Sequence, residues 1–182
     1  GDALQTLAFY VLSHHSVPIA DKSRLMMLET LALASGSRGM AGGQAIDIEA
    51  VGKDLNLAEL ENMHIHKTGA IIRASVRMGA LANPDLDLQT LACLDHYAKC
   101  IGLAFQIQDD ILDVESSTEI LGKTQGADEA LDKPTYPKLL GLKGAKEMAN
   151  GLIQQALDSL SGFSQEADPL RWMAQYIIQR QF

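Results

Sequence analysis

Aromatic side chains make up only 5% of this 182-residue chain, tryptophan occurs once and cysteine twice. Cys93 and Cys100 lie in one helical pattern, too far apart along its axis to bond each other, and no second thiol pair completes a metal site. They read as reduced, structural residues. Positive charge is also in deficit. With a formal charge of -8 and no basic stripe interleaved with aromatics, the chain does not suit nucleic acid. An anionic ligand must therefore be met by local cations or by a metal. No apolar run approaches the roughly 18 to 20 residues that cross a bilayer, and the opening GDALQTLAFY has no basic region ahead of a signal core, so a cytoplasmic protein is expected. An initiator Met is lacking as well. The chain opens directly in a helix-forming pattern and reads as part of a longer protein.

Alternating β-branched runs bounded by turns are absent, and nearly every segment has helical spacing, so the fold class is all-α. At 47% hydrophobic, one domain over 1–182 with a real core is expected. The first helix is predicted over about 2–15, stopping near Pro18, and Asp21 can cap a second that runs to the glycine-rich SRGMAGGQ. Asn56, with Glu59 three residues on, resembles a capping box for a helix that ends before Pro84. Mid-way along it, Thr68 followed by Gly69 invites a local irregularity. Asp87 caps the longest helix, about 88–114, on the order of 40 Å at ~1.5 Å per residue. A polar segment leads to the cap-like Thr135 and a helix reaching 155–160, and a last helix covers about 169–180.

The end of the longest helix, AFQIQDDILDV, carries three carboxylates. Asp109 and Asp113 are i and i+4 and share a face, with Asp110 beside them. Like charges at that spacing, at a helix C-terminus, oppose both one another and the macrodipole, so local stability does not explain them. Because the flanking Leu103, Ala104, Phe105, Ile107, Ile111 and Leu112 are apolar nearly all round, the helix reads as central and its charges as lining a cavity. Oxygen-only donors suit Mg²⁺, which keeps several waters and takes one or two carboxylates plus substrate phosphates. An EF-hand is excluded for want of its alternating acidic loop with a central Gly. The five histidines form no metal constellation, and the methionines read as core filler.

Six motifs in order, GDALQTLAF, GMAGGQAIDI, HKTGAIIRAS, GLAFQIQDDILD, GKTQGAD and KPTYPKLLGL, span almost the whole chain. In them the sequence resembles the trans-prenyl diphosphate synthases, bacterial farnesyl diphosphate synthases among them. The resemblance implies an isoprenoid-synthase-type helical bundle around a central cavity, here without its N-terminal helices. It implies Mg²⁺ as cofactor, and condensation of an allylic diphosphate with isopentenyl diphosphate to give farnesyl diphosphate and pyrophosphate. Asp109, Asp110 and Asp113 would be the second aspartate-rich metal motif. The first such motif and a pair of arginines lie upstream in the family, so the chain alone is expected to be inactive and the complete protein a homodimer. Lys67 and Lys123 would contact the diphosphate, with Lys133 a weaker candidate, and Thr68 and Gln106 would turn uncharged oxygens to the allylic cation. Gln44 and Asp47 would line the same cavity, and Arg180 would close over a phosphate. The rival readings are a geranylgeranyl diphosphate synthase, a class I terpene cyclase and a non-catalytic helical partner that keeps the fold.

Overall fold

A computed structural model describes residues 1–14, 18–115 and 134–180, and among them every regular element is helical. In order these are α1 (Asp2–Ser13), α2 (Asp21–Ser35), α3 (Met40–Ala50), α4 (Leu57–His64), a π-helical turn (Ile65–Gly69), α5 (Ala70–Leu81), α6 (Leu88–Glu115) and α7 (Tyr136–Ser159). A 3₁₀ turn (Gln165–Ala167) and α8 (Asp168–Gln179) complete the order.

Local chemistry sets most of the boundaries. Asn56 accepts from the Glu59 amide at 3.0 Å while the Glu59 carboxylate accepts from the Asn56 amide at 2.9 Å, a reciprocal box that starts α4. Asn56→Ala should therefore cost about 1 kcal/mol, read as a lower midpoint in urea at unchanged slope. Asp87 accepts from Thr90 N at 2.8 Å and so begins α6 as expected, and Thr135 accepts from Lys138 N at 3.4 Å at the head of α7. Asp21 departs from expectation. It stands in the first turn of α2, whose N-cap is Ala20 with no side-chain cap, so its carboxylate serves the helix dipole and lies 4.0 Å from Arg24. The first helix also stops at Ser13, short of its predicted end. Inside α7, Gly141 has φ 69°, a left-handed conformation that kinks the helix.

The central position read for the longest helix is what the structure shows. α6 packs against α4, the π turn, α5, α7 and α8. Two clusters of buried residues bury it. One joins Tyr97, Ile101 and Ala104 to Ile153, Leu160 and Ile177. The other joins Ile107 and Ile111 to Leu60, Met63 and Tyr136. Tyr97 is fully buried, donates to the Leu170 carbonyl at 2.7 Å, and has its phenol pushed up to about 12 by burial. No described helix is long and apolar enough to cross a membrane.

Candidate active site

The irregularity expected at Thr68–Gly69 is the π turn. One extra residue per turn changes where the side chains of Lys67 and Thr68 point relative to an uninterrupted α-helix. Two glycines let neighbouring backbones touch this turn. A Cβ on Gly43 of α3 would fall 2.1 Å from the Lys67 amide nitrogen, and one on Gly102 of α6 would fall 3.2 Å from the Cα of Gly69. The turn is thus held between α3 and α6 by main-chain contact on both sides.

That clasp places four polar side chains. Lys67 Nζ lies 2.6 Å from Asp47 Oδ2, an ion pair in which Asp47 is the more buried member. Thr68 Oγ1 donates to Gln106 Oε1 at 3.0 Å, which fixes the Gln106 amide with its oxygen toward the π turn. Gln44 is exposed on α3, three residues before Asp47. Lys123 and Lys133 lie outside the described residues.

The three aspartates at the end of α6 do not share one environment. Asp109, 40% exposed, accepts from Arg180 Nη2 at 2.6 Å. The same Nη2 donates to the Phe105 carbonyl at 3.0 Å, and the guanidinium carbon sits 4.1 Å from the Phe105 ring centroid. Asp113 follows one turn on. Asp110, 4% exposed, points elsewhere: its Oδ2 accepts from the backbone N–H of Tyr136 at 3.0 Å, at the first turn of α7. A carboxylate there satisfies an orphan helix donor and complements the dipole. Tyr136 is itself fully buried and stacks on His64, with ring centroids 5.6 Å apart. Burial, with Glu61 and Asp110 adding their negative charge, pushes its phenol far above the ordinary value. Asp110→Ala should strip the Tyr136 amide of its acceptor, costing about 1–3 kcal/mol. Thermal unfolding would show the loss, and an unchanged midpoint would deny Asp110 this structural role.

Among the described residues no three His, Cys, Asp or Glu side chains converge as a metal site. The donor set at Asp109 and Asp113 still fits a hard divalent cation, because Mg²⁺ needs only one or two carboxylates when water and phosphate complete its shell. The arrangement therefore offers two ion pairs, Lys67–Asp47 and Arg180–Asp109, and a neutral Thr68–Gln106 pair, with Thr68 next to Lys67 in the π turn and Gln106 one turn before Asp109 on α6. A ligand carrying both phosphate and metal could open each pair and take one member.

The family model described as Polyprenyl synthetase matches residues 1–171. The chain belongs to that family. Its similarity to Farnesyl diphosphate synthase of Escherichia coli (strain K12) is 53% identity over 184 residues, which is 99% of this chain and 62% of the relative. It is 43% identical to the Heterodimeric geranylgeranyl pyrophosphate synthase large subunit 1 of Arabidopsis thaliana, with 100% of this chain and 50% of that protein covered. Among solved structures it resembles the geranyltransferase of Helicobacter pylori complexed with magnesium and isoprenyl diphosphate. That match has TM-score 0.79 and 33% identity, over 98% of this chain and 57% of the other. The chain thus spans about three fifths of the length of the farnesyl relatives it matches.

For this polyprenyl synthetase chain, the tether from Asp110 to α7 escaped the sequence reading, as did the pairing of Arg180 with Asp109. A partial signal existed for the first. Thr135 opens α7 with an amide one residue later that needs an acceptor, and any buried carboxylate nearby could have been considered. Nothing in the sequence pairs residues 71 positions apart.

Proposed function

We propose that the protein is a prenyltransferase that joins an allylic diphosphate, dimethylallyl or geranyl, to isopentenyl diphosphate and releases farnesyl diphosphate and pyrophosphate. The observation that carries this reading is the π turn, in which Lys67 pairs with Asp47 and Thr68 with Gln106, and Gln106 stands one turn before Asp109 on α6.

The reaction's barrier is the heterolysis of an allylic C–O bond, in which negative charge grows on diphosphate and positive charge on carbon. Lys67 meets the first. Held by Asp47, its ammonium is already positioned before substrate arrives, and exchange of the Asp47 carboxylate for a phosphate oxygen moves it little. Thr68 and Gln106 meet the second. The Thr68 proton is engaged by Gln106 Oε1, so the hydroxyl presents lone pairs, and the two oxygens stabilise a carbocation without a formal charge that would capture it. Asp109, with Asp113, would hold Mg²⁺, which when bound neutralises diphosphate charge as a Lewis acid. Asp110 is kept for the fold, as its contact with Tyr136 implies. Loss of a proton completes the condensation, and no described side chain of this site is assigned as its base.

The protein is proposed to work as a homodimer. Leu4, Leu7 and Val11 make an exposed apolar stripe on α1, and Leu25 and Leu33 of α2 are also exposed. Farnesyl is preferred as product because the chain is 53% identical to the Escherichia coli farnesyl relative and 43% identical to the Arabidopsis thaliana geranylgeranyl relative.

The test is incorporation of labelled isopentenyl diphosphate with geranyl diphosphate and Mg²⁺. It should be run on the chain alone and on the chain joined to the part of the Escherichia coli relative that it does not match. A C15 product is expected from the fusion, falling about a hundredfold or more with Lys67→Ala. A folded fusion that makes no prenyl product, while the relative does, would overturn the proposal.

A further inference from the structure

A cavity of about 470 Å³ opens between the π turn, α5, α6 and α7. None of Lys67, Thr68, Gln106 and Asp109 lines it. Its apolar surface comes from Ile65, Leu103 and Leu152. Its charged rim is cationic: Arg38, Arg73 and Lys99. One anion answers them. Asp95 is forked by Arg73, with Nη2 at 2.8 Å, and lies 3.4 Å from Lys99 Nζ. Burial raises the Asp95 carboxyl, and hydrogen bonding with Arg73 and the charges of Arg73 and Lys99 outweigh this, leaving it below the usual range. Arg38 has no carboxylate partner among the described residues. A second cavity, of about 380 Å³, shares Arg38 and Arg73 and adds Arg77 and Glu29 to the lining. Four cations thus face two carboxylates along one groove, in a chain whose formal charge is -8.

We infer that this groove is a second ligand site, for a single-chain amphiphile with a phosphate or diphosphate head. The volume is that of a small-molecule pocket, about 300–1,000 Å³. Ile65, Leu103 and Leu152 give the cavity an aliphatic stretch, beside the His66 and His96 imidazoles, that suits an alkyl tail. The rim carries more positive charge than one carboxylate would match, and guanidinium groups bind phosphate oxygens in pairs, which favours a phosphate over a fatty acid. An alkyl tail then lies over Ile65, Leu103 and Leu152, and the head group sits between Arg38 and Lys99. Ile65 belongs to the π turn that also carries Lys67 and Thr68, so the occupant would touch the turn from outside.

Calorimetric titration of the chain with n-decyl phosphate in EDTA tests this, since chelation removes any metal-dependent binding at Asp109. Saturable binding is expected, weakened about tenfold by Arg38→Glu and by Ile65→Glu, both at exposed positions, with circular dichroism confirming the fold of each. Inorganic pyrophosphate and decanol should each bind at least about tenfold more weakly than the amphiphile. In the unmodified chain the amide resonances of Gly69 and Ala70, which line the cavity, should shift on titration. Absence of binding, pyrophosphate binding as tight as that of the amphiphile, or decyl phosphate binding that leaves those amides unmoved would each overturn the site.

Discussion

In the complete protein, Asp109→Ala is expected to lower kcat/KM for condensation on the order of a thousandfold while leaving the unfolding midpoint nearly unchanged. The two halves of that result have separate causes. Asp109 is 40% exposed on its side chain, and its bond to Arg180 is a half-solvated ion pair of the kind that adds little to stability. Arg180 keeps the Phe105 carbonyl and the ring face when the carboxylate is removed, so it is not left unpaired. The proposed role is different in scale. A carboxylate that holds a divalent cation against a departing diphosphate acts where charge develops, and losing such a group costs far more in the transition state than in the folded ground state. Asp110→Ala should show the reverse balance, with stability falling first, because Asp110 is buried against the amide of Tyr136. Measuring rate and melting for both variants separates the two adjacent aspartates. A near-normal rate for Asp109→Ala would remove Asp109 from the proposed metal site.

How far the sequence reveals the molecule depends on the range of the interaction. Helix starts were legible where a single short side chain caps its own helix, as at Asn56, Asp87 and Thr135. The central place of α6 was legible from apolar residues nearly all round it. The break at Thr68–Gly69 was legible as an irregularity, but its π form was not. That form goes with backbone contact from Gly43 and Gly102, and two glycines on other helices do not announce which strand of main chain they admit. Asp21 misled because aspartate at a helix start suits both the cap and the first turn, and only the backbone at Ala20 decides. The three aspartates of the acidic motif look equivalent on the page. They divide because α7 brings the Tyr136 amide to one and Arg180 comes to another, each from a distant part of the chain.

Gly43→Ala should be among the most damaging single-methyl changes in the protein, and it should damage fold and site together. The added Cβ would stand 2.1 Å from Lys67 N, 2.5 Å from Lys67 Cα and 2.6 Å from His66 C. All three are backbone atoms, so no rotamer change relieves the overlap, and α3 or the π turn must move bodily. Overpacking of this kind costs about 1–3 kcal/mol and at times more, which for a chain of this size lowers the melting midpoint by roughly 2–4 °C per kcal/mol. Asp47 stands one turn beyond Gly43 on the same helix, so displacement of α3 also pulls its carboxylate from Lys67 Nζ, now 2.6 Å away. A misplacement of about 1 Å at a positioning group can cost a hundredfold in rate. Gly79→Ala is the matched control. No heavy atom lies within 4 Å of its added Cβ, the position is exposed in α5, and alanine is the better helix former by up to about 1 kcal/mol. The first variant should thus melt earlier and bind diphosphate more weakly, while the second melts at or above the unsubstituted chain. If Gly43→Ala matched Gly79→Ala in both measurements, main-chain contact between α3 and the π turn would not be what positions Lys67.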